Sequence, residues 1–204
     1  SIYTFQCMKM EKFRHGRILF AGDSAHQVSP FGARGANSGV QDVDNLCWKL
    51  KLILENKAPE SLLDSYNFER VFAAEENIIN SSRSTDFITP KSKISMAFRN
   101  AVLELSERYD FARPLVNSGR LSTPSTYDNS NLNSLDGMTN PTRSRVGAPC
   151  PDLPFNDDYL LNKTGNQFCV LTFNCKITET LDDLFLPVKT IEIAEEDENK
   201  DFMR

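Results

Sequence analysis

The chain has 204 residues, a formal net charge of −5, 40% hydrophobic and 25% charged residues, the profile of a soluble globular protein of one medium domain, or of one domain and part of another. The acidic balance argues against a nucleic-acid partner, which needs a basic face, and no apolar run reaches the length of a membrane span or forms a signal sequence. Five scattered cysteines without a Cys-x-x-Cys pair, and only two histidines, argue against a zinc site or a disulfide framework and make a reducing cytoplasm the default location.

In chain order, residues Ile2 to Met8 alternate as a strand and Lys9 to Gly16 read as a polar connection. The abrupt, strand-like opening "SIYTFQCMKM", without an initial Met, leads us to expect a piece of something longer. Ile18 to Ala21 are continuously apolar, which predicts a strand buried on both faces. From Asn37 the period changes: Val40, Val43, Cys47, Leu50 and Leu54 recur at helical spacing and predict one inward apolar face. "NKAPES" ends that helix, and Pro59 stands where the next can begin. The second helix is expected from about Ser61 to Arg83, with Leu62, Tyr66, Ala73 and Ile78 inward. A third, from Lys91 to Tyr109, has Ile94, Phe98, Ala101, Val102 and Leu105 on one face, and Phe111 to Asn117 can add a short fourth. Such stripes must pack on each other or on a sheet.

Composition shifts between Gly119 and Pro151, where Ser, Thr, Asn and Pro dominate and large apolar residues are few, as in an extended surface segment or linker. After it, "QFCVLTFNC" predicts a strand, "TETLDDLF" a short helix and "VKTIEIAEE" a second strand, a β-α-β unit that opens a second domain.

The chemistry concentrates in "RILFAGDSAHQVSPFGARGANSGVQDVDNLCWKL", Arg17 to Leu50. An apolar strand ending in Gly22-Asp23 puts a carboxylate at the carboxyl edge of a sheet, where α/β folds bind ligands. Gly22 permits a tight turn, and Asp23 can accept hydrogen bonds from ligand hydroxyls, those of sugars above all. Gly32 and Gly35 let the backbone of "SPFGARG" face a flat ligand. The helix that follows presents N–H groups carrying partial positive charge. Each part also has a plainer reading: Asp23 as a turn residue, the glycines as loop punctuation, Asn37 as a helix cap, His26 as a structural hydrogen-bonder and Trp48 as packing. The order of the parts favours a ligand site. "FAGDSAH" also resembles the Gly-Asp-Ser block of GDSL-type hydrolases, with Ser24 as nucleophile. That reading needs a distant histidine as base, and none follows His26.

The whole stretch resembles the second FAD-binding motif of the group A flavoprotein monooxygenases, the aromatic hydroxylases related to p-hydroxybenzoate and phenol hydroxylase. "LLDSYNFERVFAAEENIINSSRSTDFITPKS" and "RNAVLELSERYDFARPLVNSGRLSTPSTYD" are similar to the branch of 3-(3-hydroxyphenyl)propionate hydroxylase-like enzymes. "VGAPCPDLP" with the β-α-β unit resembles that branch's thioredoxin-like C-terminal domain. The resemblance implies an α/β fold: the C-terminal portion of a p-hydroxybenzoate hydroxylase-like FAD-binding domain (strand, loop, long helix and helical bundle) over 1–118, a linker over 119–145 and a partial thioredoxin-like domain over 146–204. It implies that Gly22 and Asp23 meet the ribityl chain of FAD, that Pro30 and Gly32 line the flavin, and that the backbone of Gly35, Ala36 and Asn37 meets its pyrimidine edge. It further implies NADH or NADPH as reductant, O2 and a small aromatic substrate as partners, and hydroxylation through a flavin C4a-hydroperoxide. A homo-oligomer is left open.

Two features depart from the family. No Gly-x-Gly-x-x-Gly dinucleotide fingerprint occurs in the 204 residues, so the chain by itself is expected to bind FAD weakly or not at all and to have no hydroxylase activity. The redox Cys-x-x-Cys of a thioredoxin is replaced by Cys175 and Thr178, which makes a structural role for that thiol the expectation. The competing class is a non-catalytic helical module that packs or oligomerises.

Overall fold

The computed structural model describes residues 2, 4–116, 123–134, 145–155, 157–175, 177 and 186–193. They belong to two compact units, one of Ser1–Ser125 with Ser130–Leu132, the other of Thr126–Asn129 with Asn133–Arg204.

The first unit begins with four two-residue strands. β1 (Met8–Lys9) pairs antiparallel with β4 (His26–Gln27), and β2 (Arg14–His15) pairs antiparallel with β3 (Ile18–Leu19). The sequence predicts longer strands at both places. Residues 4–7 are not strand, and β3 pairs only with β2 across a tight turn at Gly16, so Ile18 is exposed rather than buried on both faces. Among the described residues no strand adds to the other edge of that hairpin.

Three long helices follow: α1 (Arg34–Leu54), α2 (Leu62–Ile88) and α3 (Lys93–Arg108). α1 ends where Asn56 takes a left-handed φ of 56°, a helix-stop conformation that Asn tolerates. α3 starts after Pro90 with Ser92 as N-cap, its side chain accepting the Ser95 N–H at 3.1 Å. α1 packs along α2, whereas α3 packs chiefly on the 3-10 turn Asp110–Ala112 and α4 (Arg113–Val116). The three helices therefore do not form one bundle. Of the face predicted for α3 only Val102 is buried; Ile94, Phe98 and Leu105 are exposed.

The inward face of α1 differs from the predicted one, of which Leu50 alone is half-buried. Val40 is 69% exposed and Leu54 79%, and Val43 and Cys47 also face outward, while Arg34, Ser38, Asp42 and Lys49 are buried. On α2, Tyr66 and Ala73 are buried as expected and Leu62 and Ile78 only in part. Phe13, Ala25, Tyr66 and Ala74 form the apolar centre, with Met10, Leu19, Phe20, Leu46 and Val71 around it. Beside it lies a polar cluster. Glu69 of α2 accepts hydrogen bonds from Lys49 Nζ (2.7 Å), Asn45 Nδ2 (2.7 Å) and Ser130 Oγ (2.5 Å). Arg34 donates to the Thr123 carbonyl at 3.1 Å, so Thr123 and Ser130 of this unit are tied to α1 and α2.

In the second unit β5 (Pro154–Phe155) and β6 (Asp158–Tyr159) form a hairpin, followed by α5 (Leu160–Thr164). β7 (Phe168–Phe173) and β8 (Val188–Ile193) run parallel, from Phe168 opposite Val188 to Phe173 opposite Ile193. A parallel pair needs a crossover connection. The helix predicted over 178–185 and Thr178 lie outside the described residues. Phe155, Leu160, Ile191 and Ile193 make this unit's core. Gly147 has φ 78°, and a Cβ there would stand 2.5 Å from the Tyr127 carbonyl oxygen, so only glycine fits. Among the described residues no helix is long and apolar enough to cross a membrane.

Candidate functional site

The Gly22-Asp23 turn is built from both directions along the chain. Phe20 N–H donates to the Phe13 carbonyl at 2.9 Å, and the Phe20 carbonyl accepts the Tyr66 hydroxyl at 2.6 Å. Burial and the nearby Asp42 carboxylate raise the Tyr66 hydroxyl's pKa, with Arg70 opposing, so it stays a donor. Ala21 is extended, Gly22 turns at φ 59°, and Gly22–Ser24 make one 3-10 turn closed by Ala25 N–H to Gly22 O at 2.8 Å. The left-handed φ favours glycine, and a Cβ on Gly39 of α1 would lie only 3.5 Å from the Gly22 Cα. The turn thus rests against the second turn of α1 and holds Asp23 in solvent.

Asp42 lies beneath it. Its side chain is fully buried; Oδ2 accepts Gly22 N–H at 2.8 Å and faces His26 Nε2 at 2.8 Å, and Oδ1 accepts Arg70 Nε at 2.5 Å. Burial pushes the Asp42 carboxyl up, but the His26 bond, the Arg70 charge and the Gly22 N–H together hold it below the ordinary value. Arg70 also donates to Ser38 O and Ser38 Oγ, each at 3.2 Å, and Asn77 donates to the same hydroxyl at 3.2 Å. His26, 2% exposed, stacks on Phe13 with ring centroids 5.7 Å apart. Its structural role is as the sequence suggests. Ser24 Oγ instead donates to the Ala21 carbonyl at 2.7 Å, so Ser24 and His26 do not form a nucleophile–base pair, and the hydrolase arrangement is absent.

The second part of the site is the loop after β4. Ser29 is buried, and Ser81 Oγ of α2 lies 3.1 Å from the Ser29 carbonyl and 3.2 Å from that of Phe31. Thr85 Oγ1 lies 2.9 Å from Ser29 Oγ. Pro30 and Gly32 are exposed, Ala33 N–H returns to the Pro30 carbonyl at 3.0 Å, and Ala33 has a left-handed φ of 51°. α1 then starts with no side-chain cap. Gly35, Ala36 and Asn37 form its first turn, and Asn37 Nδ2 donates to the Ala33 carbonyl at 2.8 Å, so Asn37 is not the N-cap. The first-turn N–H groups lack a capping side chain and carry the positive end of the helix dipole.

The structure therefore sets Gly22 and Asp23 on a turn, Pro30 and Gly32 on a loop, and Gly35 to Asn37 at an uncapped helix start. What the sequence did not reveal is the set behind them: Asp42 and Ser38 on α1, Arg70, Asn77 and Ser81 on α2. Their spacing, four residues between Ser38 and Asp42 and seven then four among Arg70, Asn77 and Ser81, is one helical face each. That was the available signal. Trp48 is half-buried on α1, with Lys49 Nζ 5.3 Å from its ring centroid. Among the described residues no group of His, Cys, Asp or Glu is placed to hold a metal.

Known proteins similar to this chain include several hydroxylases and, among solved structures, the Diels-Alderase PyrE3, with a TM-score of 0.63 at 26% identity over 94% of this chain and 37% of that one. Residues 1–81 match the model of the FAD binding domain family. The 3-(3-hydroxy-phenyl)propionate/3-hydroxycinnamic acid hydroxylase of Klebsiella pneumoniae is 30% identical over 176 residues, covering 85% of this chain and 32% of that protein. A Rhodococcus jostii protein described as a probable NADH-specific resorcinol 4-hydroxylase is 52% identical over 68 residues, 33% of this chain and 13% of its own length. Among solved structures, the rebeccamycin biosynthetic enzyme RebC with reduced flavin superposes with a TM-score of 0.65 at 25% identity, covering 90% of this chain and 38% of that one. The chain thus spans about a third of the length of its longer-matching relatives. Gly22, Asp23 and the glycine loop all lie inside the region matched to the FAD binding domain family, and the chain is similar to aromatic hydroxylases across that region.

Proposed function

We propose that this chain supplies the flavin-facing surface of an FAD- and NAD(P)H-dependent hydroxylase acting on a small phenol-like substrate. The observation that carries the reading is the exposed Asp23 on a turn whose Gly22 N–H is fixed to buried Asp42, within the FAD-binding match. Asp23 accepts hydrogen bonds from the ribityl hydroxyls. Pro30 and Gly32 form a surface that a flat ring approaches without an intervening side chain. The uncapped N–H groups of Gly35 and Ala36, with Asn37 beside them in the same first turn, favour negative charge on the ring's pyrimidine edge. The redox chemistry, reduction by NADH or NADPH and transfer of one oxygen atom of O2 to an electron-rich ring, belongs to the bound FAD. The substrate class follows the names of the relatives, which act on hydroxyphenyl compounds and resorcinol. Residues 146–204 are read as the beginning of a thioredoxin-like domain, supported by the parallel β7–β8 pair, and the cytoplasm as the site of action.

The test is the visible spectrum of the protein carrying this chain, purified from its source cells, followed by NADH and NADPH oxidation with a panel of phenols. Flavin absorbance with phenol-stimulated oxidation is expected. Asp23→Ala, at an exposed position, is expected to lower FAD affinity about tenfold, the loss of one or two hydrogen bonds, without lowering the melting temperature. A colourless protein inert to phenols would sink the reading. It would favour a helical interaction module using the outward Val40, Val43 and Leu54 of α1.

A further inference from the structure

Resting on that reading, we infer that the polar stripe of α2, Arg70 and Ser81 with Asp42 as intermediary, is the positioning element for both flavin-facing segments. The two segments lack regular structure of their own: Gly22–Ser24 is a single 3-10 turn, and 28–33 has no helix or strand. Their backbone groups are held from behind. Gly22 N–H is taken by Asp42 Oδ2, whose other oxygen is fixed by Arg70 Nε at 2.5 Å. The carbonyls of Ser29 and Phe31 face Ser81 Oγ at 3.1 and 3.2 Å. Arg70 and Ser81 are eleven residues apart, close to three full helical turns, so they project from the same side of one rigid helix. Both are buried, as is Asn77 between them. Ser38, held by Arg70 and Asn77, adds the start of α1 to the same support. None of these residues needs to touch a ligand. They fix the distance between Asp23, the Pro30–Gly32 loop and the first turn of α1, a geometry in which ångström errors cost binding.

The test uses the protein carrying this chain with FAD as probe, in the variants Ser81→Ala and Asp42→Asn. Hydrogen exchange without FAD reads the positioning itself. Ser81→Ala should speed exchange about tenfold in 28–33 and leave 18–27 unchanged; Asp42→Asn should do the reverse, each by the loss of a hydrogen bond. FAD affinity should fall about tenfold in each. Asp42→Asn should add little to Asp23→Ala, because both act through one contact. Ser81→Ala removes no charge and keeps the question decidable if Asp42→Asn unfolds. Wild-type exchange rates in folded Ser81→Ala protein, or losses of affinity that add fully between Asp42→Asn and Asp23→Ala, would overturn the inference. A wild-type protein that takes up no FAD would instead refute the proposed function, while the exchange rates still decide the positioning role.

Discussion

Replacing Asp42 by Asn keeps the side chain's shape and removes its charge. Arg70 is 1% exposed and loses the carboxylate at 2.5 Å, keeping Ser38 O and Ser38 Oγ. Removing one partner of a buried ion pair costs about 3–5 kcal/mol. An amide has one oxygen where the carboxylate uses two, one for Gly22 N–H and one for Arg70, so one of those bonds goes with the charge and one is kept, which places the expected loss near 3 kcal/mol, of a total of about 5–15 kcal/mol. The chain's single tryptophan, Trp48, sits on α1 within this unit and reports urea unfolding directly. With a slope of about 2 kcal/mol/M, the midpoint should fall by roughly 1.5 M at pH 7. The pH dependence gives a second check. The Asp42 carboxyl is held below its ordinary value of 3.8, so its contribution is present above that value and lost as the pH falls through the lower folded-state one. The gap between wild type and Asp42→Asn should therefore be full at pH 7 and narrow below about pH 4. A midpoint shift under about 0.5 M at neutral pH, or a gap unchanged down to pH 3, would refute the assignment of Asp42 as a charged anchor.

Two further predictions concern the same turn. Tyr66→Phe leaves the Phe20 carbonyl without the hydroxyl that reaches it at 2.6 Å; calorimetry should show a loss of about 1–3 kcal/mol, and an unchanged melting temperature would contradict it. Gly22→Ala should cost about 1–2 kcal/mol from the left-handed φ of 59°. Steric clash adds nothing, because the new Cβ would lie 3.9 Å from the Gly39 Cα; chemical denaturation measures the cost, and complete unfolding would show that the turn has less room than described.

Much of the element order was legible. The three- and four-residue spacing located α1, α2 and α3 within a few residues, and the run "QFCVLTF" located β7. Gly22-Asp23 and the glycine loop stood out because glycine, proline and a lone acid after an apolar strand restrict the backbone in recognisable ways. The inward face of α1 was not legible. Periodicity assumes that the apolar stripe is the buried one, but α1 buries Arg34, Ser38, Asp42 and Lys49 and exposes Val40, Val43 and Leu54. Nothing local distinguishes Asp42 from a solvated acid: its burial depends on Arg70 28 residues later and on His26 16 residues earlier. Strand length was over-read for a related reason. Neither apolar alternation in 2–8 nor the continuous apolar run 18–21 says whether a partner strand is available, and β1 and β3 each find two residues of pairing.

The polar interior and the short strands have one cause. From Met10 to Ala33 the backbone makes little regular structure, yet it is buried at Phe13, Ala25, His26 and Ser29 and half-buried around Phe20, Gly22 and Phe31, and covered N–H and C=O groups require partners. A sheet would supply them from neighbouring backbone. Here the helices supply them from side chains: Asn67 accepts Phe13 N–H at 2.7 Å and Arg14 N–H at 3.1 Å, Tyr66 serves Phe20, Asp42 serves Gly22, and Ser81 serves Ser29 and Phe31. Side chains that perform this service must be polar, must point inward, and must be paired with each other wherever they are charged. The Asp42–Arg70 and Glu69–Lys49 pairs meet that requirement. A helix whose polar side is committed inward leaves its apolar side to face out, which is why α1 looks inverted. The inversion follows from supporting an irregular, glycine-bearing backbone with helix side chains instead of a sheet.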